Sequence, residues 1–473
     1  MQLRIFIQNN TERYGVLNSL READTIALKA VMEEIKMNLT YMGYEERIIT
    51  PEKPVQIAGY DARIDNRSRG IMKDLKAQIL VGKRNEDRFC LVTIDSLGFT
   101  VGLSNLLRER ISEILTVNME QVMICFSHTH AAPNAAVEKD YYESVCQTIL
   151  SGVKKAGESM VPVYAGWGIG ENTVGINRRG SGQPIDPRIG VLKICGEGQE
   201  KIKVLVVRVT AHCNVLMPDN YLVSPDYFGE AREALERRYG CKVMMVQGAS
   251  GDVRPRYRQE NADYLEIHPA EEHLMDISDQ MKVRYVTQSQ KALKNMADDI
   301  CESLQPVIDK INPEPVNRIS MYSVKSIFYA DVPDMNRARE IASEAWEQGK
   351  IDGTGWLLEV GRLLNIHETR QSAEIEIQFF AVNDGCLCGV PSEVMSDIAV
   401  EIWKKTSNPM VFFNGYTNGC TSYLPTAAEY DRGGYEVLWS NLLYYQYHGR
   451  VMPLNRDTAN RLADEAVKAW KEY

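Results

Sequence analysis

The chain has 473 residues and a formal net charge of −10, with acidic and basic residues spread along its length. This distribution offers no basic surface for nucleic acid, and no uninterrupted apolar run reaches the roughly 18 residues of a membrane span. The N-terminus also lacks the pattern of a secretion signal. We therefore expect a soluble, cytoplasmic protein with no membrane or nucleic-acid partner.

Ten cysteines are scattered through apolar segments and do not form a spaced disulfide framework. Such a distribution is typical of reduced, buried thiols in a cytosolic protein. Cys386 and Cys388 alternate within a predicted strand and would share one face of it. We interpret this pair as core packing and not as a pair of metal ligands.

Helices and strands alternate along the predicted chain. An amphipathic helix is predicted for residues 18–40, and strand-like runs begin at residue 48. Two β-hairpins follow, and the second turns at the sequence NDG, a strong hairpin signal. Further helices are predicted in the segments 104–115, 141–157, 226–240, 287–304 and 457–473. The pattern predicts an α/β fold with a large mixed β-sheet core and surrounding helices.

No internal repeat or low-complexity linker divides the sequence, so one large body is predicted. Residues 1–45 are expected to form a helical extension that packs on this body, which comprises residues 46–473. The irregular segment 256–286 is interpreted as an insertion that serves as a lid or a specificity loop.

Four apolar strands each stop at a cluster of small and polar residues. The relevant strings are VMICF before SHTH, VLVVRV before TAHCN, LCGV before PSE, and MVFFNGYTNGCTSY. Because ligands bind beyond the carboxyl ends of strands in α/β sheets, side chains at these stops are expected to converge. They include His128, His130, His212, Glu393 and at least one tyrosine.

His128 and His130 would point the same way in an extended segment, about 7 Å apart along the strand. Two imidazoles on one face suit either a metal ion or proton transfer. Nitrogen and carboxylate ligands together suit Zn²⁺ with one position open for water, although other divalent ions accept the same donors. The alternative is that each histidine is an ordinary core or surface residue.

The order and spacing of these segments resemble the catalytic domain of the neutral, non-lysosomal ceramidases, which are zinc amidases that cleave N-acyl sphingosine. The resemblance extends from about residue 47 to about residue 439. SHTHAAP is similar to the family's THTHSGP, and GVPSEVM is similar to VPGEFT. The strings AHCNVLMPDNYLVSPD, GINRR and NGYTNGCTSYLPTAAEYDRGGYE also have counterparts in the family.

The resemblance implies a role for each matched residue. It places the metal ligands at His128, His212, Glu393 and Tyr423. It places the catalytic groups at His130, which would transfer protons, and at Tyr435 and Arg178, which would stabilise an oxyanion or anchor the substrate.

The sequence departs from the family at GDVRPR, where the ceramidases have GDVSPN. Arg254 replaces the serine implicated in ceramide cleavage, which argues against ceramide as the substrate. Arg254 and Arg256 are predicted to bind a small polar or anionic substrate, since guanidinium groups bind carboxylates through paired hydrogen bonds. An ion pair with a nearby acid is the alternative. Asp252 is predicted to contribute to the same site or to support the turn.

These features predict a zinc-dependent hydrolase that cleaves an amide or ester bond, other than a peptide bond, in a small soluble molecule. Two alternatives stay open: a metal-dependent lyase or isomerase acting on a sugar-like compound, and a binding protein that keeps the metal without turnover. The sequence leaves open whether the chain associates with copies of itself.

Overall fold

The computed structural model describes residues 39–60, 63, 65–171, 174–180, 182–196, 201–257 and 279–472, without the side chains of 279–288. Most of the helix predicted for residues 18–40 and most of the predicted lid at 256–286 lie outside the described residues, and Thr40 begins a strand. The roles proposed for these two segments therefore stay predictions.

The strands are numbered in chain order over the described residues. They are β1 (Thr40–Ile48), β2 (Gly70–Ile71), β3 (Lys76–Arg84), β4 (Asp87–Ile94), β5 (Val122–Phe126), β6 (Val161–Glu171), β7 (Gly175–Asn177), β8 (Arg188–Gly196), β9 (Ile202–Val209), β10 (Leu222–Val223), β11 (Lys242–Gln247), β12 (Val253–Pro255), β13 (Glu314–Pro315), β14 (Ile319–Asp331), β15 (Arg370–Val382), β16 (Gly385–Gly389), β17 (Glu393–Val394), β18 (Val411–Asn414) and β19 (Tyr423–Leu424).

The helices are numbered in the same way. They are α1 (Val101–Leu115), α2 (Lys139–Glu158), α3 (Asp226–Tyr239), α4 (Asp279–Ile308), α5 (Met335–Gly349), α6 (Thr354–Asn365), α7 (Ser396–Thr406), α8 (Ala427–Tyr430), α9 (Asn441–His448) and α10 (Thr458–Glu472).

A nine-stranded mixed sheet forms the centre of the described structure, in the order β11-β9-β8-β6-β1-β3-β4-β5, with β13 paired to β6. The pairs β4–β5 and β9–β11 are parallel, whereas the remaining pairs are antiparallel. The first predicted hairpin corresponds to β8 and β9. The α/β fold with a large mixed sheet is thus confirmed.

Helices cover one face of this sheet. Helix α2 buries residues spaced three and four apart, including Val145, Ile149 and Val153, as an amphipathic helix on a sheet requires. With α1 it packs on β3, β4 and β5, and α3 and α4 pack on β8, β9 and β11. The apolar periodicity of these helices therefore produces a continuous helical layer.

A second sheet, in the order β14-β15-β16-β18, packs on the opposite face of the large sheet. Its outer face is covered by α7 and α10, so the molecule has the layer order helix, sheet, sheet, helix. The predicted NDG hairpin forms β15 and β16, and Asn383 in its turn has a φ of 50°. Cys386 and Cys388 are buried in one core cluster, which confirms their interpretation as packing residues.

The predicted domain boundary at residue 45 falls inside a strand. Strand β1 pairs with β3 continuously from Thr40 to Ile48, so residues 40–45 belong to the large sheet. Among the described helices, none is both long enough and apolar enough to cross a membrane.

Candidate metal centre and cavity

His128 and His130 lie directly beyond the end of β5. The strand ends at Phe126, and His128 has a φ of 59°, so the backbone turns where an extended segment was predicted. The ring centroids of the two histidines are 5.0 Å apart, with the rings nearly perpendicular. Positive φ is unusual for a residue with a side chain and is often found at functional sites.

The segment around Gly59 packs closely against the imidazole of His130. A Cβ atom added to Gly59, which has a φ of 103°, would lie 2.6 Å from the imidazole of His130. The ring of Tyr60 lies against the same imidazole, with centroids 4.7 Å apart. The segment around Gly59 therefore forms a wall behind His130 that a larger residue would disrupt.

His212 follows β9, and its backbone N–H donates to the carbonyl of Val253 in β12. Its ring centroid lies 4.6 Å from that of His128 and 5.0 Å from that of His130. Ligand atoms of these three buried histidines all lie within 4.8 Å of one another, which is close enough to hold one metal ion. The residues that follow β5 and β9 are far apart in the sequence, but they thus meet at this histidine cluster, as predicted.

Hydrogen bonds fix the orientation of two of these imidazoles. Nδ1 of His128 is 2.6 Å from the carbonyl oxygen of Leu97, and Nδ1 of His212 is 3.1 Å from that of Ser250. Because a carbonyl oxygen only accepts, both Nδ1 atoms carry the proton and both Nε2 atoms keep a lone pair. A backbone carbonyl behind the imidazole is the usual support of a metal-binding histidine.

Glu393 completes the cluster with a buried carboxylate. Its Oε2 atom lies 3.3 Å from Nε2 of His128 and 3.7 Å from Nε2 of His212. Glu393 Oε2 and His212 Nε2 have no hydrogen-bond partner although both atoms are buried. A cation would stabilise electron-rich atoms that converge in this way without a donor between them. The residues present therefore fit a divalent metal ion.

Tyr423 stands next to Glu393 because their strands are paired. β17 and β19 run parallel, and Glu393 is the direct register partner of Tyr423. The ring of Tyr435 lies 5.9 Å from that of Tyr423, in a π-helical turn that spans Tyr435–Trp439. The structure therefore places Tyr423 beside Glu393, and Tyr435 beside Tyr423.

Arg178 follows β7, and its guanidinium donates to Glu436, the neighbour of Tyr435, at 3.0 Å. Arg179 forms ion pairs with Glu436 and Glu429. Burial disfavours the charged form of Arg178, but Tyr423 and Glu436 outweigh this effect and raise its pKa. These contacts join the loop after β7 to the segment that carries Tyr435.

Burial disfavours the charged forms of His212 and Tyr423. The pKa of His212 is well below its usual value because of desolvation first and then the positive charges of Arg178 and the other histidines. Neutral imidazole is the form that binds metals. Desolvation and Glu393 raise the pKa of Tyr423, whereas Arg178 lowers it. A cation at the cluster would act in the same direction as Arg178.

Tyr416 was not predicted as a site residue. Its ring lies on His128, with centroids 4.2 Å apart, and its hydroxyl oxygen is 3.5 Å from Nδ1 of His212. The hydroxyl also accepts from Ser250 at 3.3 Å. The string NGYTNGC contains this residue, but nothing in it distinguishes Tyr416 from a core aromatic residue.

Three residues predicted to bind substrate are not among the described residues that line the cavity beside the cluster. The carboxylate of Asp252 accepts from the backbone N–H of Ser396 and from the amide of Asn177, so it holds loops together. Arg256 forms an ion pair with Asp299 at 2.7 Å. Arg254 is half-buried on β12 and is not among the described residues that line the cavity at the cluster. Asp252 and Arg256 thus make structural contacts here.

A cavity of about 320 Å³ connects the cluster with the surface. His128 and Glu393 form its inner end, and the segments 56–60, 97–100 and 420–421 form its walls. Helix α9 covers the remaining side with Leu443, Tyr444 and Tyr447. The candidate metal centre is therefore reachable by a small molecule.

No family model and no curated protein matches this sequence, but solved structures match its fold. A neutral ceramidase from Pseudomonas aeruginosa aligns with a TM-score of 0.62 and 17% identity, over 90% of this chain and 75% of the other. A ceramidase complexed with C2 aligns with a TM-score of 0.64 and 17% identity, over 92% and 75%. The chain therefore has a neutral-ceramidase-like fold.

Proposed function

We propose that the protein is a metal-dependent hydrolase that cleaves an amide bond, or an ester bond, in a small molecule. The observation that carries this proposal is the convergence of Glu393 Oε2 with the Nε2 atoms of His128 and His212 at the end of an open cavity. The likeness of the fold to ceramidases supports the same class of reaction. Zn²⁺ is the ion that we expect.

His128, His212, Glu393 and Tyr423 would hold the ion. When bound, a divalent cation polarises a carbonyl group and activates water for attack. His128 and Glu393 line the inner end of the cavity, so a substrate that enters the cavity would come into contact with two of the residues that would hold the ion.

His130 is the residue that we assign to proton transfer. Its ring stands 5.0 Å from the rings of both His128 and His212, beside the cluster. An imidazole can accept a proton from water and deliver it to the leaving amine. Tyr435 would donate its hydroxyl proton in a hydrogen bond to the developing oxyanion, a contribution of about 3–4 kcal/mol in comparable sites.

The metal assignment is tested by elemental analysis of purified protein and of the variant Glu393→Gln. We expect about one Zn²⁺ per chain in the wild type and a large loss in the variant, because an amide is a much poorer ligand than a carboxylate. Glu374→Gln is the matched control, since Glu374 lies on β15 with a side chain that is 60% exposed. Full occupancy in Glu393→Gln would refute the ligand assignment.

The reaction is tested with N-acylated amines in water labelled with ¹⁸O. Hydrolysis places one labelled oxygen in the new carboxylate, whereas an elimination gives an unsaturated product without label. A metal-loaded protein that releases no amine from any substrate of the panel would refute the proposed activity.

A further inference from the structure

The residues that line the cavity limit which substrates can bind at the candidate metal centre. Among the described residues that line it, none is a lysine or an arginine, and Glu393 is the single carboxylate. An anionic group held away from the metal would therefore lack a cationic partner and would lose its hydration. This observation argues against the anionic substrate that Arg254 and Arg256 predicted.

Four residues that line the same cavity have amide side chains, namely Gln56, Asn66, Asn134 and Gln446; Asn134 also accepts from the N–H of Ala136, and Gln446 also donates to Tyr445. Each amide offers both a donor and an acceptor, which is the combination that a hydroxyl group matches. The rings of Tyr444 and Tyr447 add apolar faces between them. The lining thus combines neutral hydrogen-bonding groups with flat aromatic surfaces.

The size of the cavity disfavours a long acyl chain. Its volume of about 320 Å³ lies at the lower end of the range of roughly 300–1,000 Å³ for small-molecule sites. A long alkyl chain would also need a continuous apolar wall, which the amides of Asn66 and Asn134 interrupt.

We propose that the substrate is a compact, uncharged N-acylated amine that carries several hydroxyl groups, with the dimensions of an N-acetylated amino sugar. The acylated nitrogen would lie at the end formed by His128 and Glu393, and the hydroxyl groups would bond to the amide side chains near the mouth. This inference rests on the proposed hydrolase function and names the substrate class of that site.

The test compares substrates that share one scissile amide and differ in charge or chain length. Neutral N-acetylated amino sugars and amino polyols are compared with their phosphate esters and with a long-chain ceramide in mixed micelles. We expect kcat/KM for the best neutral compound to exceed both alternatives by about 100-fold, because an unpaired charge is strongly rejected by a neutral wall. A preference for a phosphate ester or for ceramide would overturn the inference and leave the hydrolase proposal standing.

Calorimetric titration of the metal-loaded protein with the same compounds separates this inference from the proposed function. Binding of the neutral compounds without amine release would support the substrate class and contradict the hydrolase activity. If the neutral compounds bind no more tightly than their phosphate esters, the substrate class is refuted.

A charge introduced into the wall gives an independent test. Gln446 is exposed on α9 and lines the cavity, so Gln446→Arg should shift the kcat/KM ratio toward the phosphate ester by about tenfold. Gln147→Arg is the control, because Gln147 is exposed on α2 away from the cavity. An unchanged ratio in folded Gln446→Arg protein would contradict the proposed position of the substrate.

Discussion

Tyr416 supports two of the proposed ligands from one position, because its ring packs on His128 and its hydroxyl lies near Nδ1 of His212. Tyr416→Phe keeps the ring and removes the hydroxyl, so the metal affinity should fall by about tenfold, as for other groups that orient metal ligands. Competition with a chelating dye measures the change. Tyr322→Phe is the control, since Tyr322 stacks on Phe379 in the second sheet. Equal metal affinity in the wild type and in both variants would refute the proposed role of the Tyr416 hydroxyl.

His448 makes stability depend on pH. Desolvation and the nearby charge of Arg450 lower its pKa from 6.5 to about 2. The unfolded chain therefore binds a proton that the folded chain rejects, so the free energy of unfolding decreases as pH falls below 6.5, by at most about 2 kcal/mol at pH 5.

His448→Asn should reduce the pH dependence of Tm between pH 7.5 and pH 5, because asparagine does not titrate and its oxygen can accept from the N–H of Arg450 as Nδ1 of His448 does. His367→Asn serves as the control, since His367 is exposed. Scanning calorimetry at several pH values between 7.5 and 5 measures the slope of Tm against pH for both variants. The same slope in His448→Asn as in the wild type would rule out this contribution.

At the level of single residues, the sequence could predict the positions of His128, His130 and His212, because strand ends marked by small polar residues converge in α/β folds. Glu393 also lies at such a strand end, whereas the choice of Tyr423 came from a family resemblance, and the structure confirms that the two residues are neighbours. For Arg256 the sequence left two alternatives open, a substrate contact and an ion pair, and the structure shows an ion pair with Asp299 on helix α4. A local pattern does not show which of two charged residues faces a site.

At the level of helices and strands, the side chain of Arg108 connects helix α1 to the second sheet. The fully buried guanidinium donates to Glu376 and Gln378 on β15 and to two backbone carbonyls beside β5. Removing it leaves Glu376 without its main partner, so Arg108→Ala should lower the free energy of unfolding by about 3–5 kcal/mol. Chemical denaturation of the metal-loaded protein measures the loss.

Arg110→Ala provides the comparison on the same helix. Arg110 pairs with Glu143 at the surface, and such exposed pairs contribute about 0–1 kcal/mol. If both variants lose the same stability, Arg108 does not join the layers in the way described.

Elements with regular apolar patterns could be predicted from the sequence, and irregular ones could not. The hairpin β15–β16 has alternating residues and an NDG turn, and α2 has helical periodicity. Helix α9 has the sequence NLLYYQYH, whose mixture of aromatic and apolar residues shows no clear period. Strands β17 and β19 are two residues long, too short for any pattern, yet their pairing sets Glu393 beside Tyr423.

For the whole molecule, the candidate metal centre joins segments that are widely separated in sequence. His128 follows β5, His212 follows β9, and Glu393 and Tyr423 lie on β17 and β19. An ion bound by all four would stabilise the native state, by about 4 kcal/mol when the free ion exceeds its Kd a thousandfold. Scanning calorimetry should therefore show a lower Tm after chelation and recovery after Zn²⁺ is restored.

The same measurement on Glu393→Gln supplies the comparison, since that variant should respond much less to chelation. A wild-type Tm that is insensitive to chelation, in protein shown to have lost its metal, would contradict a site that spans these four segments.

The two carbonyl groups that hold His128 and His212 have a consequence for metal exchange. Because the carbonyl groups of Leu97 and Ser250 orient the imidazoles through hydrogen bonds at Nδ1, we expect little reorganisation when one cation replaces another. Substitution with Co²⁺ should then yield a coloured protein with an intact fold. Its visible absorption bands would report directly on the number and kind of donor atoms.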